Sequence, residues 1–479
     1  MRRLLSSLLS QRRIAGGAVV LAVTQFGASL AGLLRDRVLA QTFPPGLDRL
    51  DVASVYIAAF RPSDLLFQVF IMSALSVAMV PLLAGHFAHG RGDEMNRLTS
   101  SILLVGNLVF GALALILVIT LPSLAPSLVQ FTGPSLELYV RFAQLTCLSN
   151  LLFVSGNALG FVLVTRQVYW VYGLTPILYT LSTVAGTLWL TPLLGPLGPM
   201  VGTVGGSVVY VVVRLVAVTK LGYRFTLGSL REPDASRRPA PTLCHPEECR
   251  ACRGTSRRAG AGLLSMTCGL FHPDLRQMGW MMLPRMFALG ALQLELLLFD
   301  TMASGLPLGS VTVNAYARNF QSVAVGVIGI ALAQSAFSPL SLAHAVGDEK
   351  RFSSTLRKAT CMTLIASIAS ALALVLLVDV AGWLVKIADT PVMPLFVTSV
   401  LLYSFSIPFE SWNHLLLRAF YARKDSLTPA IFSVVNGVTA VGVAWILLPR
   451  MGVSALGFGF GIGQGVQACL LRWRIRQVP

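Results

Sequence analysis

Long apolar runs alternate with short polar connections along the whole chain. Twelve runs stand out, at roughly 14–34, 52–83, 99–122, 137–165, 169–193, 198–220, 277–303, 308–340, 358–386, 393–421, 428–449 and 452–471. An α-helix crosses a bilayer with roughly 20 apolar residues, so each run is long enough to span. The pattern predicts an all-α polytopic membrane protein with about 12 transmembrane helices, the longer ones tilted or extending past the lipid. The first run has a basic start but is long and lacks a small-residue cleavage site. It reads as a retained span, not a signal peptide.

The runs also repeat. Ala74-Leu75 through Pro81-Leu82 and His86, followed by Asp93-Glu94, returns as Ala331-Leu332 through Pro339-Leu340 and His344, followed by Asp348-Glu349. Leu174-Thr175-Pro176 returns as Leu427-Thr428-Pro429, and Asp36 after an apolar pair has an echo in Asp300. The offsets are about 258, 253 and 264 residues, in the same order. Two same-direction copies predict two pseudo-symmetric six-helix lobes around a central cavity, the plan of a transporter. The expected boundaries are 1–223 for the first lobe, 224–274 for a flexible basic linker and 275–479 for the second.

Composition agrees: 55% of residues are hydrophobic and 12% charged, about half the charged share of a soluble domain. The net charge of +17 is spread over connections, which argues for anionic lipid headgroups and against nucleic acid. Lys and Arg gather at the N-terminus (Arg2, Arg3, Arg12, Arg13), in the even-numbered connections and at Arg472, Arg474 and Arg476. By the positive-inside rule both termini are cytoplasmic. The linker carries Cys244, His245, Cys249 and Cys252 within nine residues. That is too crowded for the two separated ligand pairs of a structural zinc site, so no metal is expected. No nucleotide loop or nucleophile elbow is present, so the expectation is a transporter without a cofactor and not an enzyme.

Ionisable groups at membrane depth are costly and become the functional candidates. Arg35-Asp36-Arg37 puts positive charge at the outer end of the first span, against the orientation rule; it is either a binding group or an interfacial pair with headgroups. Arg61 and Asp64 lie three residues apart, on one helix face. Arg61 precedes Pro81 by 20 residues and Arg318 precedes Pro339 by 21. Two arginines facing one cavity would suit a phosphate-bearing substrate; the alternative is a packing lock. Asp300, near Gln293 and Glu295, is either a Na⁺ or proton site or the partner of Arg285 or Arg318. Glu410, His414 and Arg418 share a face after Pro408, as a proton relay or an interhelical ion-pair ladder. Gly156 with Gly160, and Gly202 with Gly206, allow close helix approach.

Several of these stretches resemble the MurJ/MviN family, the lipid II flippases of the multidrug/oligosaccharidyl-lipid/polysaccharide exporter superfamily. They are Gly32-x-x-Arg35-Asp36-x-x-x-Ala40-x-x-Phe43, Phe60-Arg61-x-x-Asp64-Leu65-Leu66, Ala74 through Pro81, Tyr316-Ala317, Gly326-Val327-x-Gly329, and Phe420 through Thr428-Pro429. The resemblance implies two six-helix bundles around a cavity with alternating access. It also implies movement of a diphosphate-linked lipid precursor across a bacterial inner membrane, with membrane lipids and cell-wall synthesis proteins as partners. It implies substrate roles for Arg35 and Asp36, and an ion site at Asp300 and Asn436. Arg61, Asp64 and Arg318 are added from the reading above. The chain departs from the family at Ser29, Phe67, Gln68, Met72, Asn319 and Ala440, and it has twelve expected spans where fourteen are usual. Three alternatives follow from the departures: a flippase for another lipid-linked oligosaccharide, a cation-coupled small-molecule antiporter, and a non-transporting membrane scaffold.

Overall fold

In a computed structural model, residues 2–73, 75, 79, 83, 92–224, 273–423, 425 and 427–477 are described. Pro81, His86, Arg91 and most of the first repeat copy lie outside them, as do the linker residues 225–272 with Cys244, His245, Cys249 and Cys252. The described residues form helices joined by turns, with no strand.

The helices are α1 (Arg2–Thr42), α2 (Val52–Leu66), α3 (Gly92–Leu128), α4 (Pro134–Thr165), α5 (Tyr169–Ala185) and α6 (Gly198–Lys220) in the first half. The second half holds α7 (Pro273–Ser304), α8 (Ser310–Ala324), continued beyond a π-helical segment by a helix at Ala331–Ala345, then α9 (Glu349–Leu376), a short helix at Val378–Leu384, α10 (Met393–Ala422), α11 (Leu427–Met451) and α12 (Ser454–Gln477). Helix starts follow local chemistry. Pro134 opens α4 with Glu137 in its first turn, and the Asp348 carboxylate accepts the Arg351 N–H at the start of α9 (2.8 Å).

Ten helical stretches among the described residues are long and apolar enough to cross a membrane, where the hydropathy pattern predicts about 12 spans. Tyr169–Lys220 counts once although it runs 52 residues, far beyond a single crossing. It is broken by a short 3-10 turn at Gly195–Leu197. Helix α1 is not among the ten. Lipid-facing positions are apolar: Leu115, Ile116 and Ile119 on α3 and Ile365, Ile368 and Leu372 on α9 are exposed, as a bilayer solvent permits.

The repeat is visible in detail. Asp51 and Gly309, at the starts of α2 and α8, both adopt left-handed backbone (φ 47° and 87°). Their separation of 258 residues is bridged directly, the Gly309 N–H donating to Asp51 Oδ2 at 2.9 Å. One turn on, the Ser54 and Thr312 hydroxyls meet at 2.9 Å with the same 258-residue separation. A residue that touches its own repeat mate lies on the pseudo-twofold axis, so the axis passes between α2 and α8. The π-helical segments Phe67–Met72 and Val325–Ile330 extend these two helices at matching positions.

Three apolar cores show how the lobes relate. One combines both halves, including Val55, Tyr56 and Phe142 with Phe299, Val311 and Tyr403. The second lies wholly in the first half, around Phe110, Leu163 and Val218. The third lies wholly in the second half, around Leu340, Phe352 and Phe420. The lobes therefore share a core at the end carrying Asp51 and Gly309, here termed the closed end, and keep separate cores at the other. Further ties at the closed end are Gln130 N–H to Ser304 Oγ (2.8 Å), Thr301 Oγ1 to the Leu128 carbonyl (2.5 Å) and Arg37 to the Leu384 carbonyl (3.1 Å).

Asp51 makes this end sensitive to acid. Burial pushes its carboxyl above the ordinary range, the Gly309 N–H only partly offsetting this. Parting the lobes would return the group to water, with a value near about 4. The proton then binds more tightly to the closed arrangement. Acid accordingly favours the closed end, beginning as pH falls through the raised value and complete below about 4. Spin labels at the exposed Leu47 and Leu308 should report a larger short-distance population at pH 4.5 than at pH 7.5, and Asp51→Asn should flatten that change.

Candidate functional site

Arg35, Asp36, Arg61 and Asp300 gather where the lobes meet. Arg35 and Asp36 are neighbours on α1, and successive helical residues do not face one another. Arg35 folds back so that Nε and Nη2 both donate to Asp36 Oδ1 (3.0 and 2.7 Å). The Asp36 carboxylate is held from the opposite lobe: Asn319 Nδ2 donates to Oδ2 at 2.9 Å, and the Tyr316 hydroxyl donates to the Asp36 carbonyl at 2.9 Å. Arg35 keeps 30% of its side chain exposed. Arg37 serves another purpose, stacking over Trp383 at 5.0 Å and tying the closed end.

Arg61 reaches across to α7, its Nε donating to Asp300 Oδ2 at 2.5 Å. The Arg61 side chain is 19% exposed and that of Asp300 only 3%. Asp300 thus pairs with neither Arg285 nor Arg318. Its bond to α2 and the bond of Asp36 to α8 are repeat mates, since each joins the first helix of one lobe to the second helix of the other. Asp64 does not join Arg61 in an ion pair. It accepts from Asn150 Nδ2 on α4 (2.8 Å), an amide that also reaches Ser63 (2.7 Å).

Arg318 is not in this seam. At the offset relating Ser54 to Thr312, the mate of Arg61 is Asn319. One residue turns a side chain about 100° around a helix, which directs Arg318 into its own lobe. There its guanidinium lies 5.1 Å over the Phe460 ring, and its buried Nη1 has no hydrogen-bond partner among the described residues. The charges acting on the buried Glu295 are Arg318 and Glu410. Gly437 of α11 faces Ala291 and Glu295, while Asn436 before it turns to α12, its Oδ1 against Gly463. Glu295 itself stands more than one helical turn before Asp300 on α7. Glu295 Oε1 and Asn436 Oδ1 are both buried without a hydrogen-bond partner among the described residues.

Glu410 accepts from Gln321 on α8 at 2.5 Å, and His414 Nε2 stands 4.0 Å from Glu410. Arg418 stacks near Phe337 (5.7 Å), so the shared face of α10 is split between a polar and an aromatic neighbour. At two of the positions that depart from the family, Phe67 is buried edge-to-face against Phe110 (5.9 Å) and the Ser29 hydroxyl returns to the Gln25 carbonyl (3.1 Å). No group of three or more His, Cys, Asp or Glu comes together among the described residues.

Sequence reasoning overlooked Arg214, which is 1% exposed inside α6. It donates to Thr175 Oγ1 (2.9 Å), the Gly156 carbonyl (2.8 Å) and the Tyr172 carbonyl (3.2 Å), between the rings of Tyr210 and Tyr172. A lone arginine in the middle of an apolar run was the available signal.

Comparison with known proteins agrees with this architecture. Residues 50–478 match the family described as lipid II flippase MurJ. A relative described as "Probable lipid II flippase MurJ" in Rhizobium meliloti (strain 1021) is 22% identical, over 97% of this chain and 80% of its own length. The solved structure "Lipid II flippase MurJ, inward closed conformation" superposes with a TM-score of 0.73 at 18% identity, covering 96% of this chain and 87% of that one. An inward-facing multidrug resistance MATE family transporter of the MOP superfamily also gives 0.73, at 12% identity and 94% and 95% coverage. With nine-tenths of its length matched and the two-lobed fold in common, this chain belongs to the lipid II flippase MurJ family.

Proposed function

We propose that the protein carries a polyprenyl-diphosphate-linked peptidoglycan precursor, lipid II, from the inner to the outer leaflet of a bacterial inner membrane by alternating access. The observation that carries this reading is the pair of partly exposed arginines, Arg35 and Arg61, at the interlobe seam. Arg35 Nη1 and both Nη groups of Arg61 make no hydrogen bond to described residues. Guanidinium N–H groups left free on partly exposed arginines are suited to the oxygens of a diphosphate. Asp36 and Asp300 hold the two arginines in place.

Lys/Arg asymmetry puts the termini in the cytoplasm, which makes the closed end periplasmic. The separate cores then face the cytoplasm, the arrangement that loads substrate from the inner leaflet. No bond is made or broken, so the protein is a transporter and not an enzyme.

The test is growth of cells depleted of their own lipid II flippase. The wild-type chain should restore growth. Arg35→Ala removes charge-assisted contacts that contribute about 1.5–3 kcal/mol each and should weaken rescue by about 10- to 100-fold. Absence of rescue by well-expressed wild-type protein would instead support the scaffold reading.

A further inference from the structure

Resting on that reading, we propose that Asp300 is an internal rival of the substrate diphosphate: its carboxylate holds Arg61 while the site is empty, and transfer of Arg61 to the diphosphate breaks the charged one of the two innermost polar ties between the lobes. The hydrogen bonds between described residues of the two lobes run from the closed end inward and end at this pair and, at the same depth, at its repeat mate Asp36–Asn319. Further along, Gly290 of α7 lies against Val69.

The geometry suits an exchange. Arg61 lies about 13 Å along α2 from Val52, at 1.5 Å per residue. It grips Asp300 with Nε alone, leaving the Nη pair for a second anion. The acid is buried behind and the arginine is partly exposed in front, so an incoming phosphate meets the cation first. A diphosphate brings more charge and more paired oxygens than a single carboxylate, and can take a guanidinium bidentately.

The repeat mate of the pair cannot do the same. Asp36 faces a neutral amide, Asn319, across the seam, and its cation, Arg35, sits on its own helix. Displacing Arg35 from Asp36 would release no charge-held tie between lobes. The exchange therefore belongs to one side of the pseudo-twofold axis. The helix carrying Arg61 also has an irregularity that α8 lacks, Pro62 directly after that arginine, ahead of the π-helical segment Phe67–Met72 that α8 matches with Val325–Ile330; both interrupt regular helix bonding.

The experiment measures binding of undecaprenyl diphosphate to the purified full-length chain in nanodiscs, beside the growth rescue above. Asp300→Asn keeps the shape and removes the rival charge. It should bind the lipid on the order of tenfold more tightly while rescuing growth less well, a combination that lost packing would not produce. A second readout uses wild-type Asp300. Cysteines at Val69 and Gly290, with the native cysteines replaced by serine, should crosslink less when undecaprenyl diphosphate is added. The same change should be absent in Arg61→Lys, which keeps the charge but loses the fork. Equal or weaker binding by Asp300→Asn, or crosslinking indifferent to the lipid, overturns the exchange. Failure of the wild-type chain to bind the lipid overturns the functional reading beneath it.

Discussion

Arg214→Ala is expected to destabilise the first lobe by about 3–5 kcal/mol, read as a lower unfolding temperature of the purified protein. The substitution empties the space beside Gly160 and strips donors from two helices, at the Gly156 and Tyr172 carbonyls. The carbonyl of Tyr172 is the telling acceptor. Pro176, four residues on within α5, has no N–H to offer it. Arg214 Nη2 and the Thr175 hydroxyl supply donors in its place. Among the described residues Arg214 is bonded to a hydroxyl and two carbonyls and to no acidic group, so its buried charge has no counter-ion. The relevant alternative is an unpacked helix in the bilayer, where the same guanidinium would face lipid. Against that reference, carbonyls and two tyrosine faces are a favourable surrounding. Arg214→Met should recover the part due to volume and leave the carbonyls unsatisfied, so its unfolding temperature should fall between those of Arg214→Ala and the wild type.

The fold was open to sequence reading because two periodicities survive in one dimension. Runs of apolar residues mark helices, and an offset near 258 residues relates the halves. Contact between Ser54 and Thr312, at that same separation, is its three-dimensional counterpart. The site was less legible, because pairing depends on how each helix is rotated about its axis. Arg61 and Arg318 look equivalent when measured from Pro81 and Pro339, yet one residue of slip sends Arg318 to Phe460 and leaves Asn319 at the seam. Arg61 and Asp64 share a face by spacing, yet one bonds to α7 and the other to α4. Leu174-Thr175-Pro176 and Leu427-Thr428-Pro429 match in sequence but not in setting. The first lies inside α5, where Pro176 exposes a carbonyl. The second opens α11, where the Asp425 carboxylate accepts the Leu427 and Thr428 N–H groups (both 3.1 Å) and proline breaks nothing.

The shared core and the separate cores also give the two ends different tolerances. At the closed end, α2 and α8 touch through small hydroxyls and a glycine N–H, contacts that can part without unfolding either lobe. At the other end each lobe has its own apolar core, so it remains packed whichever way the lobes rock. Substitutions within the shared core should therefore alter the balance between conformations, whereas those inside one lobe should alter its stability.

Gly202→Leu tests the second half of that distinction and should be nearly as damaging as the loss of Arg214. Gly202 on α6 lies against Gly186, where α5 turns π-helical. A Cβ at residue 202 would come within 2.6 Å of Gly186 Cα and 2.7 Å of the Ser182 carbonyl oxygen. Both obstacles are backbone, so no rotamer change relieves them, and the two helices must separate. Overpacking of this kind costs about 1–3 kcal/mol and more where the neighbour cannot move. Separation would also weaken the Thr183–Thr203 hydroxyl bond (3.0 Å). Gly205, three residues on, is exposed and a Cβ there meets nothing within 4 Å; Gly205→Leu places its side chain in lipid and should unfold with the wild type. If close approach of α5 and α6 holds this part of the lobe together, the two leucine variants will differ clearly in unfolding temperature. Equal temperatures would show that the glycines of α6 reflect composition and not contact.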